Sequence, residues 1–172
     1  GAMFSASSEL LIVSPYFVPR NEGRRLLVRE ARRGVRVAVL TNSLAATDVA
    51  AVHTGYARQR RDLLAGGVEL YEMKRKAGSE EGRKQISVTG SSGASLHTKA
   101  MIIDRRWVFI GSMNLDPRSA FLNTEMGVLI DSAPLAAALA ASMDEQARGA
   151  HSWRVELDAN DRLVWRSDAG GL

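Results

Sequence analysis

Leu96–Asn114, LHTKAMIIDRRWVFIGSMN, holds two short apolar runs separated by the charged turn Asp104-Arg105-Arg106. Alternation predicts LHTKAMIID as one strand and WVFIGSM as its partner. Side chains two apart on a strand share a face, so His97 and Lys99 form one pair and Ser112 and Asn114 another. Asn123 and Glu125 open a later strand-like run, NTEMGVLID. Three polar pairs thus mark the ends of three otherwise apolar strands. If these strands are neighbours, an imidazole, an ammonium, a carboxylate, a hydroxyl and an amide meet in one pocket. Asp104 has the opposite strand parity to His97 and Lys99, so a regular strand turns it away from that pocket.

Working towards the N-terminus, Val68–Tyr71, Val35–Leu40 and Glu9–Val13 read as buried strands. A helix from Asn21 to Arg33, stopped by Gly34, and a second from about Thr47 or Asp48 to Ala65, stopped by Gly66-Gly67, separate them. Strand, helix, strand, helix, strand implies a parallel α/β sheet. Tyr16 follows the first strand, and Thr41, Asn42 and Ser43 follow the second, where open α/β sheets place ligands. Tyr16, Asn42 and Ser43 are therefore candidates for a site rim. Phe17 is expected in the core, and His53 as a partly buried structural histidine. Arg58, Arg60 and Arg61 are expected on the surface. Residues 74–95 form a long polar stretch. Beyond the central pair of strands, Arg118 either pairs with Asp116 or meets a second phosphate. Pro134–Ala147 reads as a helix packed on the sheet. Trp153–Leu157 and Leu163–Trp165 read as a C-terminal β-hairpin around Asn160-Asp161.

The chain has 172 residues, a formal net charge of +4 and no cysteine. Such a length buries one good core, so residues 4–172 are expected as a single domain after Gly1-Ala2-Met3, which reads as an expression scar. Without cysteine there is neither a disulfide nor a thiolate metal site. No apolar run approaches the roughly 20 residues that cross a bilayer, and no signal peptide is read. The basic excess favours anionic partners.

The polar set suits phosphodiester chemistry. A neutral imidazole can attack phosphorus and divide one hard step into two. A second histidine can protonate the leaving oxygen and later deprotonate the acceptor. Lys99, Ser112 and Asn114 would hold the phosphate oxygens, and Glu125 would fix the tautomer of His97. This design demands no metal and no cofactor.

His97-x-Lys99-xxxx-Asp104-xxxxxx-Gly111-Ser112-x-Asn114 resembles the HKD signature of the phospholipase D superfamily. Asn114-Leu115-Asp116-x-Arg118-Ser119-xxx-Asn123-x-Glu125 resembles bacterial cardiolipin synthases. Ser14-Pro15-Tyr16-Phe17-Val18-Pro19 and Thr41–Asp48 are similar to their C type. The resemblance covers nearly the whole chain, but such enzymes carry two HKD motifs and this chain has one, like their C-terminal half. It implies a phospholipase D-like half, with a mixed, mostly parallel sheet flanked by helices. It also implies catalytic roles for His97, Lys99, Asp104 and Glu125, with Asp104 supporting the site structurally. The N-terminal copy is usually taken as the nucleophile, which makes His97 the general acid and base.

The implied reaction passes a phosphatidyl group through phosphohistidine to phosphatidylglycerol, with phosphatidylethanolamine as the donor associated with the C type. The implied partners are these phospholipids, a missing N-terminal half or a homodimer partner, and a peripheral contact with the cytosolic face of the bacterial cytoplasmic membrane. Nucleic acid is not expected as a substrate. The alternatives are a homodimeric nuclease or phosphodiesterase, and an isolated half that folds and pairs but turns nothing over.

Overall fold

The computed structural model describes residues 6–47, 50–75, 96–112, 114–115 and 125–167. Eight strands form one sheet: β1 (Glu9–Val13), β2 (Arg36–Asn42), β3 (Glu69–Met73), β4 (Ala100–Ile103), β5 (Trp107–Gly111), β6 (Gly127–Asp131), β7 (Ser152–Leu157) and β8 (Leu163–Arg166). Their order across the sheet is β6-β5-β4-β1-β2-β3-β7-β8. Among the described residues four helices cover it: α1 (Arg20–Arg32), α2 (Ala50–Ala57), α3 (Arg60–Ala65) and α4 (Ala133–Ala147).

Strand alternation sorts the apolar side chains into two cores. Leu10, Ile12, Val37, Val39 and Leu70 pack with Leu27, Tyr56 and Leu63 of the first three helices. Leu11, Val13, Ala38, Leu40 and Ile102 pack with Ala136, Ala140 and Met143 of α4. The result is a three-layer α/β arrangement, and it explains why β1 and β2 are apolar on both faces.

The expected parallel sheet is present only at its centre. β1, β2 and β3 pair in parallel, joined by helical crossovers. β4 pairs antiparallel with β1, and β7 antiparallel with β3. β5, β6 and β8 also join antiparallel, so the sheet is mixed but mostly antiparallel. Short connections are the cause for β4–β5 and β7–β8. Asp104 (φ 51°) and Arg105 (φ 49°) occupy the two central positions of a tight turn closed by Arg106 N–H on Ile103 O at 3.0 Å. Two successive positive φ values make this the hairpin turn whose twist suits antiparallel strands. The C-terminal hairpin is β7–β8, as expected.

Gly34 ends α1 at φ 91°, where Val35 N–H reaches back to Glu30 O at 3.2 Å. That backbone conformation costs glycine least. The helix starts at Arg20, and Pro19 rather than Asn21 stands at its N-cap, two residues earlier than expected. The single helix expected to run to Ala65 is two, interrupted at Arg58-Gln59. Beyond the break Arg60 turns inward and is buried, contrary to expectation. Its Nε lies 2.8 Å from Glu72 Oε1, close as an ion pair but not aligned as a hydrogen bond.

Candidate functional site

Register brings the polar segments to one edge of the sheet. Val13, where β1 ends, faces Leu40 of β2 on one side and Ala100 of β4 on the other. Ala100 faces Ile110, and Gly111 faces Gly127. Residues 97–99 before β4, Ser112 after β5 and Glu125 before β6 therefore emerge together, beside the C-terminal ends of the parallel strands.

His97 and Lys99 are not strand residues, as the alternation had suggested; β4 begins at Ala100. Their segment is held by other bonds. Asn42 clamps Leu96 at two points: its Oδ1 accepts from Leu96 N–H at 3.0 Å and its Nδ2 donates to Leu96 O at 3.3 Å. Gly111 N–H donates to Lys99 O at 3.2 Å. The Lys99 ammonium donates to the main-chain carbonyl of His97 at 3.0 Å. Burial lowers the Lys99 pKa from its ordinary value, and the negative charge of Glu125 opposes that shift. His97 itself is exposed.

Ser112 ties the far side of the site together. Its hydroxyl donates to the Glu125 carboxylate and accepts from Met126 N–H at 3.0 Å, while its N–H donates to Met126 O at 2.9 Å. The junction is tight. A Cβ at Gly127 would lie 2.3 Å from the Phe109 ring, and one at Gly111 would lie 2.6 Å from Met126 O. Asn114 has a buried Oδ1 without a hydrogen-bond partner. Its neighbour Leu115 bridges to Phe17, and Val18 N–H donates to Leu115 O at 2.6 Å. The Ser14 hydroxyl, which the sequence reading did not single out, accepts from Leu115 N–H at 3.4 Å and donates to Tyr16 O at 2.8 Å. Asn114 is thereby anchored at the end of β1.

The expected rim is only partly a rim. Tyr16 is half-buried at this edge, and Phe17 is core. Asn42 belongs to β2 rather than to the loop after it, and it is buried, as is Ser43. Asn123, Asp116 and Arg118 lie outside the described residues. His53 is buried against Tyr56 and Arg60, in the structural role expected. Burial and the Arg60 charge lower its pKa. His151 is half-buried beside Glu145.

Asp104 stands at the opposite end of β4 from Lys99. Its carboxylate accepts from the N–H groups of Ser7 at 2.8 Å, Ser8 at 2.8 Å and Glu9 at 3.0 Å. Partial burial alone would raise its pKa, but these amides outweigh it and hold the carboxyl below the usual range. Asp104 thus fastens the hairpin turn to the strand entering β1 and does not join the polar set of the site. Among the described residues, no group of three or more His, Cys, Asp or Glu could hold a metal ion.

The family described as "Cardiolipin synthase, PLD-like domain" matches residues 2–147. Cardiolipin synthase C of Escherichia coli K12 is 48% identical over 163 residues, which make up 95% of this chain and 34% of that protein. Cardiolipin synthase A of Klebsiella pneumoniae is 30% identical over 150 residues, 84% of this chain and 26% of that protein. The chain thus spans about a third, or less, of the length of these curated relatives. Among solved structures, the phospholipase D family member Nuc from Salmonella typhimurium superposes with a TM-score of 0.65 at 18% identity, covering 89% of this chain and 85% of that one. Phosphatidylserine synthase of Haemophilus influenzae gives 0.62 at 17% identity, covering 87% and 34%. At these identities the likeness to both structures is one of fold.

Proposed function

The chain belongs to the family of phospholipase D-like domains of cardiolipin synthase, and from that premise we propose that it supplies one of two HKD motifs to a phosphatidyltransferase. The observation that carries this reading is the gathering of Lys99, Ser112 and Glu125 at the sheet edge where His97 is exposed.

In the proposed reaction the imidazole of the complementary motif attacks the phosphorus of one phospholipid, with phosphatidylethanolamine as a candidate donor. The bond to the headgroup oxygen breaks, and His97 protonates that oxygen as it leaves. His97, now neutral, takes the proton from a hydroxyl of phosphatidylglycerol. That oxygen attacks the phosphohistidine, giving cardiolipin and freeing the first imidazole. The Lys99 ammonium and the Asn114 amide hold the phosphate oxygens through both steps, and the Ser112 hydroxyl joins them by turning from Glu125 to the substrate. Glu125 keeps the tautomer of His97. Asp104 contributes by holding the fold of the motif.

The complementary motif needs a surface to meet. Ile110, Met126, Val128 and Leu129 are exposed apolar side chains on and beside the edge pair β5–β6, next to the site. They suit contact with the missing half, and the greater length of the relatives leaves room for one. Among the described residues no helix is long and apolar enough to cross a membrane. The lipid substrates therefore imply a peripheral contact with a bacterial membrane, placed at the cytosolic face of the cytoplasmic membrane in this reading.

The test is His97→Asn in the protein carrying both motifs, with products read by lipid mass spectrometry. Cardiolipin formation is expected to vanish, and its persistence would defeat the proposal. The single motif in 172 residues favours one other reading, a homodimeric phosphodiesterase. Metal-independent cleavage of a generic phosphodiester by this chain alone would select it. A chain that neither pairs nor forms phosphohistidine would be an inactive half.

A further inference from the structure

Asn42 and His53 lie outside the HKD motif, yet both bear on the backbone that carries it. The Asn42 side chain is 2% exposed and grips both the N–H and the C=O of Leu96. A carboxamide can do this because it carries a donor and an acceptor side by side, like a neighbouring strand. It replaces ladder pairing where β4 has not yet begun. Residues 97–99 are suspended between this clamp and the bond from Gly111 N–H to Lys99 O.

Asn42 is itself held from behind. His53 Nε2 lies 2.6 Å from Arg60 Nη2, and a guanidinium can only donate. Nε2 is therefore the acceptor, which makes the ring neutral with its proton on Nδ1. That tautomer supplies the hydrogen bond from His53 to the main-chain carbonyl of Asn42. Arg60 is fixed in turn by Glu72 at 2.8 Å and by the Tyr56 ring, 4.7 Å from its guanidinium carbon to the centroid. Trp165 Nε1 donates to the second Glu72 oxygen at 3.0 Å, so the C-terminal hairpin closes the set. A network runs from the exposed Trp165 of β8 through the buried Glu72, Arg60, His53 and Asn42 to the residue before His97.

We propose that Asn42 is a positioning residue for His97, and that His53, through the Asn42 carbonyl, fixes where Asn42 stands. The proposal rests on the reading of His97 as a phosphoryl-handling group. It departs from a rim role for Asn42, because the amide is spent on Leu96 instead of being offered to a ligand. Misplacement of a reacting group by about 1 Å costs on the order of a hundredfold in rate, so such a clamp matters to chemistry it does not touch.

The experiment uses this chain with inorganic phosphate as the probe. It measures amide hydrogen exchange by residue and follows the His97 Cε1–H resonance during phosphate titration. Asn42→Ala is expected to speed exchange at Leu96 by about tenfold or more while the β1 and β2 core amides stay within about threefold. It should also weaken the phosphate response of His97 by about fivefold or more. His53→Phe, which keeps a ring but loses both bonds, should move both quantities the same way by less. Uniform acceleration of all amides, unchanged exchange at Leu96, or a freed Leu96 with an unaltered phosphate response would each overturn the proposal.

Asn42→Leu keeps the approximate shape, buries no charge and loses both bonds to Leu96. It should free Leu96 and weaken the His97 response. An unchanged response in that variant would overturn the proposal even if Asn42→Ala does not fold. If His97 of the wild-type chain ignores phosphate, the phosphoryl-transfer reading fails. The clamp is then judged by exchange alone.

Discussion

The two ends of β4 carry parts of one motif and do different work. At one end, Lys99 is half-buried with its ammonium on the His97 carbonyl and its charge answered by Glu125. At the other, Asp104 is saturated by three backbone amides. Around that far end Arg36 and Arg105 pair with Glu9 at 3.0 and 2.8 Å, and both also reach Asp144. Charge at the turn is internally neutralised and holds strands together. At the site, among the described residues, the Lys99 ammonium meets a carbonyl and the Glu125 carboxylate a hydroxyl. A signature in sequence therefore joins groups that need not share a pocket: four strand residues separate Lys99 from Asp104.

This contrast can be broken most forcefully at Lys99. Lys99→Met is expected to lower cardiolipin formation by the protein carrying both motifs by roughly 10²–10³-fold, the usual cost of deleting an oxyanion-type donor. Its melting temperature should hardly move, and a large drop in melting temperature would erase the distinction. Glu125→Gln keeps the shape and the contact with Ser112 but removes the charge. Activity should fall by about 10–100-fold, less than for the lysine. A lower Lys99 pKa should accompany this, read from the ammonium side-chain resonance.

Asp104→Asn should behave in the opposite way. Asparagine tolerates the left-handed backbone at that position, so only the charged bonds are weakened. After allowing for partial exposure, the expected loss is about 1–2 kcal/mol, or a few degrees in melting temperature, with activity within about threefold at low temperature. A collapse of activity in a folded variant would return Asp104 to the chemistry. The acid limb sharpens the same point. The folded-state pKa of Asp104 is depressed below its ordinary 3.8. Its contribution is thus complete above that pH and is lost as pH falls through the lower folded value. Asp104→Asn should flatten that part of an acid-denaturation curve. The smallest effect is expected at the fully exposed pair Arg106–Asp131, 2.9 Å apart. Arg106→Gln should leave both melting temperature and activity where they are.

Much of this was legible in the sequence because it is local. Apolar alternation located the strands to within a few residues, Gly34 and Gly66-Gly67 marked helix ends, and the polar residues read at strand ends include Lys99, Ser112 and Glu125, which emerge at one sheet edge. What escaped depends on partners distant in sequence. A tight connection dictates antiparallel pairing, but nothing local tells that β4 docks antiparallel on β1 and β7 on β3, and so the sheet was read as mostly parallel. Arg60 looked like one of three surface arginines until Glu72 and Trp165 supplied a buried counter-charge and ring. Asn42 looked like a loop residue because threonine and asparagine are common there. Its hydrogen-bond partner is Leu96, 54 positions away. Asp104 was the informative middle case: strand parity turned it away from the pocket, whereas the structure does so by placing it in the turn at the far end of β4.

The glycine pair at the β5–β6 junction sets a limit on how this protein can vary. Even a single methyl at Gly127 would collide with the Phe109 ring, and one at Gly111 would strike the backbone of the facing strand. Neither position has a conservative replacement. Accommodation would have to prise the two strands apart where Ser112 and Glu125 leave them. Random mutagenesis screened for retained activity should therefore recover no change at the Gly111 codon, and a change at Gly127 only together with one at Phe109.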